Sequence, residues 1–327
     1  MTNMKTFLLV LLASVIIVGV AAVAFRYSRE ISAARKQIDR LGSQVIETAC
    51  GPIEYARVGD GYPVLVVHGA LGGFDQGLLT ARQLIEAGFQ VISVSRFGYL
   101  RSPIPENATL DLQVDLYACL LDELGIRQAA VLGVSAGATS AIRFAARYPE
   151  RVSALILQSP ASPGKVEAAP PPAAAFTLMR SDFAYWAMVT SIRPVVERMV
   201  GVPAGFRLTP ETEAAVTGLL AATLPSSGRI DGFLNDFVFQ TSEFNAEISA
   251  ASPYSVYKIH TPVLVIAALD DPLAVHENVR GMAEKFPNAR LYVVPDSGHL
   301  LLGHSTEVDA EITRFLRSGA AALNTGS

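Results

Sequence analysis

The chain has 327 residues, half of them hydrophobic and 17% charged, with a formal net charge of −4. With 26 basic residues against 30 acidic ones there is no basic footprint for a phosphate backbone, which excludes a nucleic-acid binder of the electrostatic kind. Two cysteines and five histidines, without zinc-type spacing, exclude a disulfide framework and indicate no metal site.

The first element is an apolar run, residues 7–25, with no charged residue across its 19 positions. At about 1.5 Å per residue a helix of that length covers roughly 28 Å, close to the hydrocarbon thickness of a bilayer. Residues 1–26 therefore read as an N-terminal transmembrane anchor. The alternative is a signal peptide, with Lys5 as its basic flank and Ala22-Val23-Ala24 as a cleavage site, which would export the domain. Arg26, Arg29, Arg35, Lys36 and Arg40 follow the run, and a basic flank of this kind resists export. The same bias puts the remaining domain on the cytoplasmic side, with the lipid bilayer as partner of the first segment. Residues 27–42 read as a charged, helical linker lifting the domain off the surface.

Strand patterns follow at 44–49, 53–58, 64–67, 91–95, 129–132, 154–158, 263–267 and 290–294. From residue 64 onward they are continuous apolar runs, as expected of strands covered on both faces. Helical patterns lie between them at 78–87, 110–124, 275–285 and 306–316. Cys119 falls among the apolar residues of one of these and reads as a small core residue. The economical architecture is α/β, a mostly parallel central sheet flanked by helices. Residues 43–158 and 255–320 form its core.

Between them, residues 159–254 contain no convincing core strand and read as an inserted helical lid. A Pro- and Ala-rich opening, 168–175, leads into helical patterns ending near Pro225. One lid helix is expected to carry Phe176, Met179, Phe183 and Trp186 along one stripe, as the lid's own core or as the lining of an apolar pocket. Thr209 is a plausible N-cap, with Pro210 in the first helical position.

The chemistry concentrates at strand ends. Gly133-Val134-Ser135-Ala136-Gly137 follows a buried strand and precedes a helix. Strand, sharp turn and helix form a nucleophile elbow, in which a strained backbone holds the Ser135 hydroxyl above the sheet edge. The N–H of Ala136, at the helix start, can stabilise an oxyanion. A serine needs a base, and the base needs a carboxylate. His299 follows the strand at 290–294, and Asp270-Asp271 follows the strand at 263–267, so one of that pair is the third member. His68 reads as a structural residue of its loop, and the loop 96–99 as a shaper of the pocket.

With HGALGG at 68–73, GVSAG at 133–137, DDPL at 270–273 and SGH at 297–299, the chain resembles the α/β-hydrolase superfamily from about residue 46 to 316. The resemblance implies a catalytic triad of Ser135, Asp271 and His299, with Asp270 as the alternative acid. It also implies oxyanion binding by the backbone of Ala70 and Ala136. It implies no metal and no cofactor. The expected activity is that of a carboxylesterase-like serine hydrolase acting on a small to medium apolar ester or acyl substrate through an acyl-enzyme. Alternatives are C–C, amide or thioester cleavage with the same triad, or a non-catalytic membrane-tethered receptor or scaffold on this fold.

Overall fold

The computed structural model describes residues 2–164, 173–242 and 255–324. Most of the 168–175 opening and the stretch 243–254 thus lie outside the described residues.

All eight expected strands form: β1 (Gln44–Thr48), β2 (Gly51–Val58), β3 (Pro63–Val67), β4 (Gln90–Val94), β5 (Ala129–Val134), β6 (Val152–Gln158), β7 (Val263–Ala268) and β8 (Ala289–Val294). They make one sheet in the order β1-β2-β4-β3-β5-β6-β7-β8. The β1–β2 and β2–β4 pairs are antiparallel and the rest are parallel. Alternate residues of the central strands bury on opposite faces, and so the apolar runs carry no polar alternation. Leu65, Val67, Val131, Leu155 and Val265 pack on one side against α4 (Leu110–Glu123), α5 (Gly137–Arg147) and the later helix α11 (His276–Ala283). Val64, Val66, Leu132, Ile156 and Ile266 pack on the other against α2 (Phe74–Thr80), α3 (Arg82–Glu86) and the last helix, α12 (Ser305–Asn324). The expected helix at 78–87 is in fact the pair α2 and α3, divided at Ala81.

Between β6 and β7 stand α6 (Ala173–Met179), α7 (Asp182–Ser191), α8 (Arg193–Met199), α9 (Pro210–Ala222) and α10 (Ile230–Ser242). Thr209 caps α9, accepting from the Thr212 N–H at 3.3 Å, with Pro210 in the first turn. Helix continues beyond Pro225, where the sequence pattern placed its end. The aromatic stripe is split between two helices, because the Ser181 side chain accepts the Ala184 N–H and starts α7 anew. Met179 and Trp186 are buried in the insertion's own core, whereas Phe183 remains 47% exposed.

α1 (Thr2–Arg40) is a single helix containing the apolar run, whose side chains are exposed along its length. Its lower half is not a free spacer. Ile31 is buried in the core of the insertion, and Arg35 pairs with Asp182 at 3.1 Å. The expected linker is helical and docked, because its Tyr27, Ile31 and Ala34 side chains find apolar partners there.

The cysteine expectation is corrected. Cys50, on the β1–β2 turn, and Cys119, on α4, form a disulfide with an S–S distance of 2.02 Å and Cα atoms 6.1 Å apart. α4 packs along the first hairpin, which brings the turn beside Cys119, so this cysteine is a covalent partner and not a solitary core residue.

Candidate active site

The elbow forms because its two glycines admit neighbours that a side chain would exclude. A Cβ at Gly133 would lie 2.6 Å from the Ala141 Cβ, and one at Gly137 would lie 2.4 Å from the carbonyl oxygens of Val67 and His68. β5, α5 and the end of β3 therefore converge more closely than other residues allow. Ser135 takes φ = 50°, a left-handed conformation costly for a residue with a Cβ. It is held there by its N–H donating to Gln158 O at 2.9 Å and by its carbonyl accepting from Ala138 and Ala161, both at 3.0 Å.

The Ser135 Oγ lies 2.8 Å from His299 Nε2, and His299 Nδ1 lies 2.8 Å from Asp271 Oδ2. Residues 164 and 28 positions apart in sequence thus form one line, because β5, β7 and β8 end at the same sheet edge. Asp271 is 3% exposed, and its other oxygen accepts the N–H groups of Leu273 and Ala274 at 2.8 Å each. Burial alone would raise this carboxyl, but the charge and hydrogen bond of His299 and the two backbone donors outweigh it and hold it below the ordinary carboxylate range. An ionised carboxylate only accepts, so Nδ1 carries the ring proton and Nε2 faces the serine as an acceptor.

Asp270 does other work. Its Oδ1 accepts the N–H groups of Ser297 and Gly298 at 2.9 Å each, shaping the turn that carries His299. Of the two aspartates, only Asp271 meets the imidazole.

Ala136 follows Ser135 in the elbow and Ala70 lies in the loop after β3, and among the described residues neither amide has an acceptor. The Ala70 loop rests against the serine, since a Cβ at Gly69 would sit 3.3 Å from the Ser135 Cβ. The peptide between Gly69 and Ala70 is fixed through its carbonyl, which accepts from His68 Nδ1 at 2.7 Å and Arg96 Nη2 at 3.1 Å. His68 Nε2 in turn accepts the Arg96 backbone N–H at 3.1 Å. Burial, reinforced by the Arg96 cation, keeps the His68 imidazole well below its usual pKa and hence neutral, as this bonding requires. His68 is a brace for the loop, as the sequence suggested.

Two buried ion pairs behind this loop have no signature in the sequence. Arg96, after β4, also donates from Nε to His68 O at 3.1 Å and pairs through both Nη atoms with Asp236 of α10. Tyr99 Oη donates to the same carboxylate, and its ring stands edge-on to His68. Arg229, fully buried just before α10, donates to Gly72 O at 2.6 Å and forms a bidentate pair with Asp75, at 3.0 and 2.6 Å. The insertion thus grips the loop after β3 directly through Arg229 and, by way of Arg96, through Asp236. The partners are 140 and 154 residues apart, beyond the reach of any local pattern.

An eight-stranded, mostly parallel sheet carrying a serine at a strand-to-helix elbow, with a histidine and a carboxylate at neighbouring strand ends, defines a class. The family model described as alpha/beta hydrolase fold matches residues 62–303, and the chain belongs to that family. Among relatives, it is 42% identical over 110 residues to an uncharacterized hydrolase, YcgS, of Bacillus subtilis, a match covering 33% of this chain and 38% of that protein. It is 31% identical over 203 residues to a poly(3-hydroxyalkanoate) depolymerase of Ectopseudomonas oleovorans, covering 62% of this chain and 65% of the relative. Both matches thus span less than two thirds of the relative's length. A 2-hydroxy-6-oxo-6-phenylhexa-2,4-dienoate hydrolase of Comamonas testosteroni is 26% identical over 76% of this chain and 84% of its own. Among solved structures, an alpha/beta hydrolase fold protein from Nakamurella multipartita is similar at a TM-score of 0.69 and 29% identity, over 85% of this chain and all of the other.

Proposed function

We propose that this chain is a membrane-anchored serine hydrolase that cleaves an apolar carboxylic ester through an acyl-enzyme, with residues 159–254 as its lid. The observation that carries the reading is the hydrogen-bonded line Ser135 Oγ, His299 Nε2 and Nδ1, Asp271 Oδ2, with both links at 2.8 Å.

His299 takes the hydroxyl proton as Ser135 Oγ attacks the ester carbonyl, and Asp271 fixes the imidazole and stabilises its charge. The Ala70 and Ala136 amides, without an acceptor among the described residues, donate to the oxyanion. His299 then protonates the leaving alcohol, and a water activated by the same ring releases the acid. Replacing Ser135 with Ala is expected to lower turnover of short p-nitrophenyl esters by about 10⁴-fold or more. It should also remove labelling by a fluorophosphonate; retained labelling of Ser135→Ala would contradict the assignment.

A second reading, hydrolysis of a carbon–carbon bond with the same residues, draws on the likeness to the Comamonas testosteroni hydrolase over most of the chain. Turnover of a 2-hydroxy-6-oxodienoate with no turnover of esters would favour it.

The anchor reading rests on the exposed apolar half of α1, a single helix long enough to cross a bilayer. For the side of the membrane, the basic flank favours the cytoplasm, whereas the Cys50–Cys119 bond favours an oxidising compartment. We give precedence to the disulfide, since a cytosolic thiol pool would keep both cysteines reduced, and assign the domain to the extracytoplasmic face.

A further inference from the structure

The apolar half of α1 and the insertion are joined in a definite register. Asp182, the first residue of α7, pairs with Arg35. One turn later, Trp186 donates its indole N–H to Glu30 at 2.7 Å, meets the Tyr27 ring at 5.5 Å and lies under the Arg26 guanidinium at 5.6 Å. Advancing along α7 therefore means retreating along α1, toward the apolar run. At about 1.5 Å per residue, the corner at Ile192 lies roughly 9 Å further along α7 than Trp186, in the direction of that run. Ile192 and Val195 are 46% and 52% exposed at this corner, and Phe183, edge-on to Tyr27 at 5.2 Å, is exposed near the start of α7.

Scattered exposed apolar residues on a soluble protein need no explanation. These differ because they continue the surface of a membrane-length helix. Tyr27 and Trp186 stand at its boundary, where amphipathic rings favour the headgroup level.

From this register we propose that the α7–α8 corner, with Ile192 and Val195 at its tip, is seated in the headgroup boundary of the bilayer that α1 crosses, and that the ester is borne by a membrane lipid. The second clause deepens the esterase reading and rests on it; the first does not. α8 leads from the corner to Gly201, whose carbonyl accepts the His299 N–H at 3.0 Å. One short helix thus separates the corner from the loop of the proposed base.

The test uses the full-length protein in phosphatidylcholine–phosphatidylglycerol nanodiscs whose acyl chains are brominated either near the headgroup or near the methyl end. Trp186 is the only tryptophan, so Trp186→Phe combined with Ile192→Trp moves the fluorophore to the corner. Emission from position 192 is expected to be quenched more strongly by the shallow bromines; absence of quenching by either set would overturn the docking. The double variant Ile192→Asp, Val195→Asp is expected to lose about tenfold in the rate on a bilayer-borne long-chain ester while keeping its rate on a water-soluble short ester. Equal loss on both esters, or no loss on either, would overturn lipid delivery. Should the unaltered protein hydrolyse neither ester, the esterase reading falls, and quenching still decides the docking.

Discussion

Asp271 and Asp270 are adjacent, have the same chemistry and do different jobs. Asp271 faces the imidazole, and Asp270 ties the turn on which the imidazole rides. Replacing Asp271 with Asn should therefore lower kcat by about 10³- to 10⁴-fold, since an amide can present its N–H to Nδ1 and impose the wrong tautomer. The same carboxylate contributes to stability with a definite pH dependence. Its folded value is depressed by His299 and two backbone donors despite burial, so its contribution is complete above the unfolded carboxylate range near about pH 4 and is lost as pH falls through the depressed value. Thermal unfolding followed from neutral pH downward should show the unaltered protein and Asp271→Asn converging in acid; a constant gap would contradict this. Strand order alone narrowed the expected acid to two residues, and only the family resemblance favoured Asp271, because the choice depends on how a loop turns.

At the scale of elements, the elbow was legible because all its requirements are local: a strand, two glycines where backbones converge, and a helix. The insertion between β6 and β7 was legible only in part. Its N-cap at Thr209 was local, whereas the break at Ser181 and the helix beyond Pro225 were not anticipated. The hold of α10, through Arg96, on the loop after β3 left no trace, since Arg96 and Asp236 meet only in the fold. Asp236→Asn is expected to lower kcat about tenfold with KM changed by less than about twofold, because Arg96 then loses the partner that aims it at the Gly69 carbonyl. Breaking a buried pair also costs roughly 3–5 kcal/mol of stability. Rescue of kcat by Asp236→Glu would identify positioning, and a fall in stability with unchanged kcat would show that the pair serves the fold alone.

At the scale of the molecule, the alternation of strand and helix patterns announced the sheet from β3 onward, and a family model spanning residues 62–303 agrees. Two tertiary facts escaped: the docking of α1 on the insertion, and the bond between Cys50 and Cys119. Each joins distant surfaces, and neither alters the composition of the segments it joins. A bridge across 69 residues should stabilise the domain by about 4 kcal/mol through the entropy of the unfolded chain. Full-length protein denatured without reductant is expected to resist maleimide, and after reduction to take up two labels and unfold at lower denaturant; two free thiols before reduction would remove the argument for an extracytoplasmic domain.

The central claim is a covalent one, and mass spectrometry tests it most directly. Protein quenched in acid during turnover of a slowly deacylating ester should carry one added acyl group, mapped to the peptide containing Ser135. Active protein that turns over the ester with no adduct, or with the adduct on another residue, would contradict the account.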